Sequence, residues 1–333
     1  MKKTLLLLLF CSITLPSFSQ ETTFDQFIEK GIALHDAGDY ENAIKEYEKA
    51  LELEPNSGTA HYEIAYSYFL KGDYKSAVKY SEKAIDLETD NQLLNYVMLG
   101  NALDMLGKRK KAIKVYEEAM KEFDHYLLSY NYALTCLKVD KVDKAYEAIL
   151  KAIDHNPSHG SSHLLLSEIM DIKGERIKAM LPLYYFLLLE PNSERSVTEY
   201  ERLKSYMDLG VERTSPTNIN VSLDLSADSD FGAAEMMLSL NKAASTIPEN
   251  EDKSELEQFT ETNKSVFGIL GDMKGDNKGF WWEFYVPMFA DFAEADLVEP
   301  FSYYISTSQG EEAATWLAEN EEDFNRFQKW FEK

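Results

Sequence analysis

The sequence predicts a mainly α protein: a right-handed helical solenoid of five helix-turn-helix repeats closed by a capping helix, then a mostly helical C-terminal domain. Three observations carry this expectation. Ala43, Ala77, Ala112, Ala145 and Ala179 recur at spacings of 34, 35, 33 and 34 residues. A turn stands five residues before each of them, at Gly38-Asp39-Tyr40, Gly72-Asp73-Tyr74, Gly107-Lys108-Arg109, Asp140-Lys141-Val142 and Gly174-Glu175-Arg176. Seven residues after each comes a second alanine, at Ala50, Ala84, Ala119 and Ala152, with Phe186 in the fifth unit. Small residues at helical spacing let paired helices approach closely, and one such hairpin cannot bury its apolar face unless neighbours stack on it.

Before the repeats, Lys2 and Lys3 precede an apolar run from Leu5 through Leu15, and Pro16 breaks any helix there. This is the pattern of a secretory signal peptide over 1–19, with Ser17-Phe18-Ser19 as the cleavage site and Gln20 as the mature N-terminus. The run is too short to span about 30 Å of hydrocarbon. Phe10 in front of Cys11 argues against lipidation, which needs a small residue there. No later stretch reaches 18 apolar residues, so no integral membrane segment is expected after cleavage. Cys136 is then the one mature cysteine, and a disulfide framework is excluded. The expected location is exported, periplasmic or extracellular.

Charge narrows the partners. The chain carries 34 basic and 58 acidic residues, net −24. Loss of Lys2 and Lys3 with the leader makes this −26. Such a field repels phosphate backbones, so nucleic acid is excluded as a partner.

Residues 24–193, about half the chain, resemble five tandem tetratricopeptide repeats. Unit one carries Phe27, Gly31, Leu34, Ala43, Tyr47, Ala50 and Pro55 at the signature positions. Unit two matches through Ile64, Ala65, Tyr68, Ala77 and Ala84, and unit three through Tyr96, Leu99, Gly100, Leu103, Ala112, Tyr116 and Ala119. Unit four matches through Tyr132, Ala133, Ala145, Ile149, Ala152 and Pro157. Unit five departs, with Pro182 inside its second helix and Phe186 where alanine is usual, which questions the straightness of that helix. Ser193 then reads as the N-cap of a capping helix carrying Val197, Tyr200, Leu203 and Met207. The domain so formed covers 20–209.

The resemblance implies a concave groove, lined by the first helix of each unit, that binds a peptide or protein segment. Its mapped positions are Ile28, Ile32 and His35; Tyr62, Tyr66 and Phe69; Val97, Asn101 and Asp104; Tyr130, Leu134 and Lys138; and Leu164, Glu168 and Asp171. The candidate groove residues singled out are Tyr62, Tyr66, Phe69, Asn101, Tyr130, Leu134, Lys138 and Glu168. A clamp for a peptide carboxylate needs several cations here, and only Asn101 and Lys138 are of that kind. The tyrosines suit interface anchors, and packing between repeats is the competing explanation.

Residues 210–229 read as a linker, with Thr214-Ser215-Pro216-Thr217-Asn218 as a turn and a short alternating strand at Ile219, Val221, Leu223 and Leu225. Residues 230–333 form an acidic, aromatic-rich helical domain with helices near 230–245, 252–271, 279–295, 310–319 and 321–331. From residue 210 onward there are 9 basic and 25 acidic residues. The aromatics read as core, but adjacent Trp281 and Trp282 point about 100° apart on an α-helix, which places one at the junction with the repeats.

The search for chemistry is negative. No histidine follows His163 and no cysteine follows Cys136, so the C-terminal half lacks a Ser-His or Cys-His system of its own. His155, His159 and His163 recur every four residues, but Pro157 and Gly160 interrupt the spacing of a metal face. Asp228-Ser229-Asp230 and Asp272 with Asp276 lack the spacing of a calcium loop. No catalytic residue, metal site or cofactor is expected. The leading expectation is a non-enzymatic protein-interaction scaffold of the bacterial cell envelope, with self-association as a further possibility. The alternative is a recruiting arm fused to a hydrolase-like or carbohydrate-processing C-terminal domain with a carboxylate pair.

Overall fold

The computed structural model describes residues 23–87, 92–215, 218–221, 229–245 and 253–332. The leader over 1–19, the cleavage site, Cys11, Gln20, and Leu223, Leu225 and Asp228 lie outside the described residues. The chain forms two compact units, one ending at Leu106 and one beginning at Gly107, so the division falls inside the third repeat.

The first unit contains α1 (Phe24–Asp36), α2 (Tyr40–Leu53), α3 (Gly58–Leu70), α4 (Tyr74–Asp86) and α5 (Gln92–Met105). Its first four helices each begin where a side chain can satisfy a free N–H group. Thr23 and Gln26 form a capping box, Asp39 accepts from Asn42 N–H, Ser57 from Ala60 N–H, and Asp73 from Ser76 N–H. The hairpin turns need a left-handed residue, supplied by Gly38 at φ +78° and Gly72 at φ +84°. Ala43, Ala50, Ala77 and Ala84 have no exposed surface, as the repeat register requires.

The second unit continues with α6 (Arg109–Ala119), α7 (Tyr126–Leu137), α8 (Val142–His155), α9 (Gly160–Ile172), α10 (Arg176–Leu189) and the capping helix α11 (Glu194–Asp208). In the fourth repeat Asp140 takes the turn position at φ +59°, a conformation aspartate tolerates. Pro182 sits within α10 without ending it. Phe186 is fully buried where the earlier repeats keep alanine, and the space it needs is left by Gly160, whose missing Cβ would stand 3.1 Å from the Phe186 ring.

Beyond α11 the expected linker is in part a strand. β1 (Val211–Ser215) pairs antiparallel with β2 (Asn218–Val221), Val211 opposite Val221. Then follow α12 (Gly232–Ser245), α13 (Glu255–Lys274), a π-helical turn (Trp281–Tyr285), α14 (Val286–Glu294), α15 (Val298–Ile305), α16 (Glu311–Glu319) and α17 (Glu321–Trp330). The single helix expected over 279–295 is thus a π turn running into α14, and α15 falls outside every helix the sequence predicts.

These C-terminal helices share a core with the repeats of the same unit. Tyr184 of α10 is fully buried among Phe259, Phe267, Phe289 and Phe301, at centroid distances of 5.2 to 6.5 Å. Its hydroxyl donates to Asn263 Oδ1 (2.5 Å), whose amide donates to Ser302 Oγ (2.9 Å). Buried polar groups need such partners to offset their lost hydration. Arg176 makes a second junction, donating to the carbonyls of Tyr206 and Met207 and pairing with Glu235 of α12 at 3.3 Å.

Candidate functional site

In the first unit, α1 and α3 pack so that an aromatic row crosses them. Tyr62 and Tyr66, one helical turn apart, stack at 6.2 Å with a 30° interplanar angle. His35 of α1 approaches Tyr66 at 4.7 Å, touches Tyr40 edge-on at 5.3 Å, and is held through Nδ1 to Ser67 Oγ at 2.9 Å. Phe69 leaves this row and packs edge-on against Tyr74 at 5.4 Å. Tyr62, Tyr66, Phe69 and Asn101 are half-buried, so each keeps accessible surface.

Carboxylates accompany the rings. Glu63 is pushed above the usual carboxylate range, first by burial and then by the charge of Asp36. The Tyr62 phenol is pushed up to about 12 by burial, with Glu63 adding to it. Across α1, α3 and α5 stand Asp25, Glu29, Asp36, Glu63 and Asp104 against one lysine, Lys30. Lys30 is tied to Glu46 of α2 at 3.0 Å and so turns from this face. In α2 and α4 the balance is nearly even, six carboxylates against five lysines. The acidic excess therefore belongs to the first helices.

In the second unit, Tyr130 meets His159 edge-on at 4.8 Å, and Tyr126 approaches the same ring at 5.0 Å. His159 Nδ1 bonds to Ser162 Oγ at 2.7 Å. Arg195 of α11 donates to Ser161 Oγ at 2.9 Å, pairs with Glu190, and lies 5.1 Å from the Phe186 ring centroid. Leu134 is half-buried, while Lys138, at its helix end, and Glu168 are exposed. Lys138 is the C-cap of α7 and stands seven residues before Ala145, whereas Phe69 stands eight before Ala77. Its repeat equivalents are Leu70, Met105 and Ile172, all exposed, so it belongs to the helix ends rather than to the aromatic row.

The three histidines go to three environments. His155 pairs with Asp124 at 3.0 Å, His159 joins the tyrosine cluster, and His163 is buried between Pro157 O, 2.7 Å from Nε2, and the Tyr285 hydroxyl, 2.6 Å from Nδ1. A carbonyl only accepts, so Nε2 carries the proton and Tyr285 donates to Nδ1. Burial pushes the His163 pKa down to about 4. Trp281 donates to the Tyr146 hydroxyl at 2.9 Å, which ties the π turn to the fourth repeat, while Trp282 stacks on Phe231 at 4.7 Å. Carboxylates of the C-terminal region stand in ion pairs, Glu255 with Lys204, Glu261 with Lys253 and Glu299 with Lys264.

Sequence reasoning found the tyrosines but not Glu63 or Arg195. Glu63 follows Tyr62 directly, and its burial depends on α1 packing that no local pattern shows. Arg195 lies in the capping helix, outside the repeat register.

The fold is that of a helical-repeat protein, and comparison with known families agrees. Residues 31–72 match the family described as TPR repeat, and residues 58–91 and 95–122 match tetratricopeptide repeat. The matched residues, 31–91 and 95–122, therefore carry tetratricopeptide repeats. No curated protein sequence matches it. Among solved structures it is similar to TTC0263, a thermophilic TPR protein of Thermus thermophilus, at 19% identity over 56% of this chain and 99% of that one, TM-score 0.46. It is also similar to MamA of Desulfovibrio magneticus RS-1, at 21% identity over 50% and 94%, TM-score 0.44. YrrB, described as a TPR protein with an unusual peptide-binding site, shares 22% identity over 56% and 94%, TM-score 0.42. The repeats support a role as a protein-interaction scaffold.

Proposed function

We propose that the protein is a non-enzymatic scaffold of the bacterial cell envelope whose first-helix face, in the first unit, docks a basic protein segment bearing apolar side chains. The observation that carries this is the Tyr62, Tyr66 and His35 row set beside Glu63 and Asp36. Rings of this kind offer rigid contact area and a negative π face, and the neighbouring carboxylates favour a cation over either a neutral or an acidic segment. The envelope assignment rests on the leader-like pattern of Lys2, Lys3 and the apolar run that follows.

Selection from a random peptide library on the full chain tests the docking surface. Enriched peptides should carry Lys or Arg beside aromatic or aliphatic residues. Tyr66→Ala should weaken them by about 2 kcal/mol, the scale of an interface anchor, with little change in melting. Glu63→Gln should reduce the salt sensitivity of binding. Enrichment of acidic peptides, or a steep fall in melting for Tyr66→Ala, contradicts the proposal. Intact mass of exported protein beginning at Gln20 tests the location.

A further inference from the structure

The second unit holds a cavity of about 550 Å³ between its fifth repeat and its C-terminal helices. Tyr185 and Leu188 of α10, Phe284 of the π turn, Met288 of α14 and Trp330 of α17 line it. Its volume lies within the range of small-molecule sites, about 300–1,000 Å³. None of its ten lining residues is charged, although 28% of the chain is.

Part of the wall is anchored by contacts within the unit. Val286 N–H bonds to Trp281 O, five residues back, and this widened turn distributes its aromatic side chains. Trp281 is anchored on Tyr146, Trp282 on Phe231 and Tyr285 on His163, which leaves Phe284 half-buried at the cavity. Trp330 packs on the fully buried Phe292 at 4.8 Å. π turns inside helices occur frequently at functional sites, because the wider turn costs regular hydrogen bonding.

Besides the exposed Gln328 amide, two hydroxyls set the ligand's character. Tyr185 and Tyr304 line the cavity, and neither hydroxyl hydrogen-bonds to a described residue. Burial raises both phenols, and none of the residues lining the cavity beside them is charged. A charge brought here would lose its hydration without gaining a counter-ion, whereas a neutral hydroxyl or carbonyl would gain a phenol partner.

We infer that this cavity binds an uncharged, largely apolar small molecule carrying a hydroxyl or carbonyl that meets Tyr185 or Tyr304. The site is independent of the peptide-docking face of the first unit. A protein segment as occupant fits less well, since none of the lining residues is charged to orient one.

Titration of the full chain with N-phenyl-1-naphthylamine, an uncharged aromatic fluorophore, tests the proposal. The expected result is one saturable site from which 1-decanol displaces the probe at least 10-fold better than decanoate, which has the same chain length and a charge. Met288→Trp, which fills the cavity, and Gln328→Trp, at an exposed position of its lining, should each weaken the probe at least 10-fold. Leu53→Trp, on an exposed position of α2, should leave it unchanged. Gln328→Trp alters no buried packing, so it decides the matter if Met288→Trp fails to fold. Unsaturable uptake, equal displacement by decanoate, unchanged affinity in Gln328→Trp, or displacement by peptides selected on the first unit would each overturn the inference.

Discussion

The second helices of repeats one and five have the same length and the same place in the hairpin, yet α2 buries five of its fourteen residues and α10 buries nine. In α2, Ala43, Ile44, Tyr47 and Ala50 make one stripe, and Lys45, Glu48, Lys49 and Glu52 leave the opposite side to water. In α10 the run Met180-Leu181-Pro182-Leu183-Tyr184 is apolar all round, because α15 and the π turn also pack against it. A helix that is hydrophobic on every side needs cover on every side. The fifth repeat is therefore the place where a repeat array becomes the core of a larger unit, and its departures from the repeat pattern mark that change. Phe186 over Gly160 is one such departure and Pro182 another.

The largest expected effect separates these two helices. Tyr184→Ala removes a fully buried ring and leaves the Asn263 amide without its donor, so it should destabilise the second unit by about 3–5 kcal/mol. Glu48→Ala on the exposed side of α2 should stay within about 0.5 kcal/mol. Chemical denaturation of both variants checks this. Similar losses would mean that α10 is no more enclosed than α2.

Next in size is a pH effect on the same junction. His163 is neutral in the fold at pKa about 4, against 6.5 when free. Between these values the unfolded chain binds the proton more readily, so the stability due to neutral His163 is full above about pH 6.5 and is lost as the pH falls toward 4. The loss by pH 4 is about 3 kcal/mol; it should be absent from His163→Gln and so appear as the pH-dependent part of the difference between the two proteins. Denaturation midpoints at pH 7, 5.5 and 4 measure it, and parallel pH curves for the two proteins would refute it.

The same contrast explains what the sequence made legible. Repeat spacing is visible because each alanine answers to a close helix contact that recurs in every hairpin. C-terminal elements lack that recurrence. β1 reads Val-Glu-Arg-Thr-Ser, too polar for an alternation to stand out. In α15, Pro300 hides a helix, yet it sits in the first turn, where its missing N–H has no intrahelical partner to lose. The Trp281–Tyr285 turn follows neither the 3.6-residue nor the two-residue period, so adjacent tryptophans could both be buried where an α-helix would splay them. At the candidate site, Tyr62 and Tyr66 are legible from their spacing of one turn. The approach of His35 and the raised carboxyl of Glu63 come from α1 meeting α3, and Lys138 stands one residue beyond the position equivalent to Phe69, which is Leu137.

Close approach in the repeats can be broken at a single atom. A Cβ on Gly31 would overlap the ring of Tyr47, which is fully buried and has no room to withdraw. Gly31→Ala should therefore cost about 1–3 kcal/mol despite alanine's better helix propensity. Thermal melting of the full chain reads this, and an unchanged midpoint would show that α1 and α2 are looser than their packing implies.

The smallest effect has the opposite sign and sharpens the contrast. Gly268 lies inside α13, and a Cβ built there meets nothing within 4 Å. Its backbone is helical, so alanine would reduce the freedom of the unfolded chain without strain in the fold. Gly268→Ala should stabilise the second unit by about 0.5–1 kcal/mol, as for a solvated helix interior. Melting would rise by a few degrees, and the Gly31→Ala variant measured beside it should fall. If Gly268→Ala also destabilises, then α13 is as closely approached there as α1 is by Tyr47. The distinction between small residues that carry a helix contact and small residues that do not would then fail for this chain.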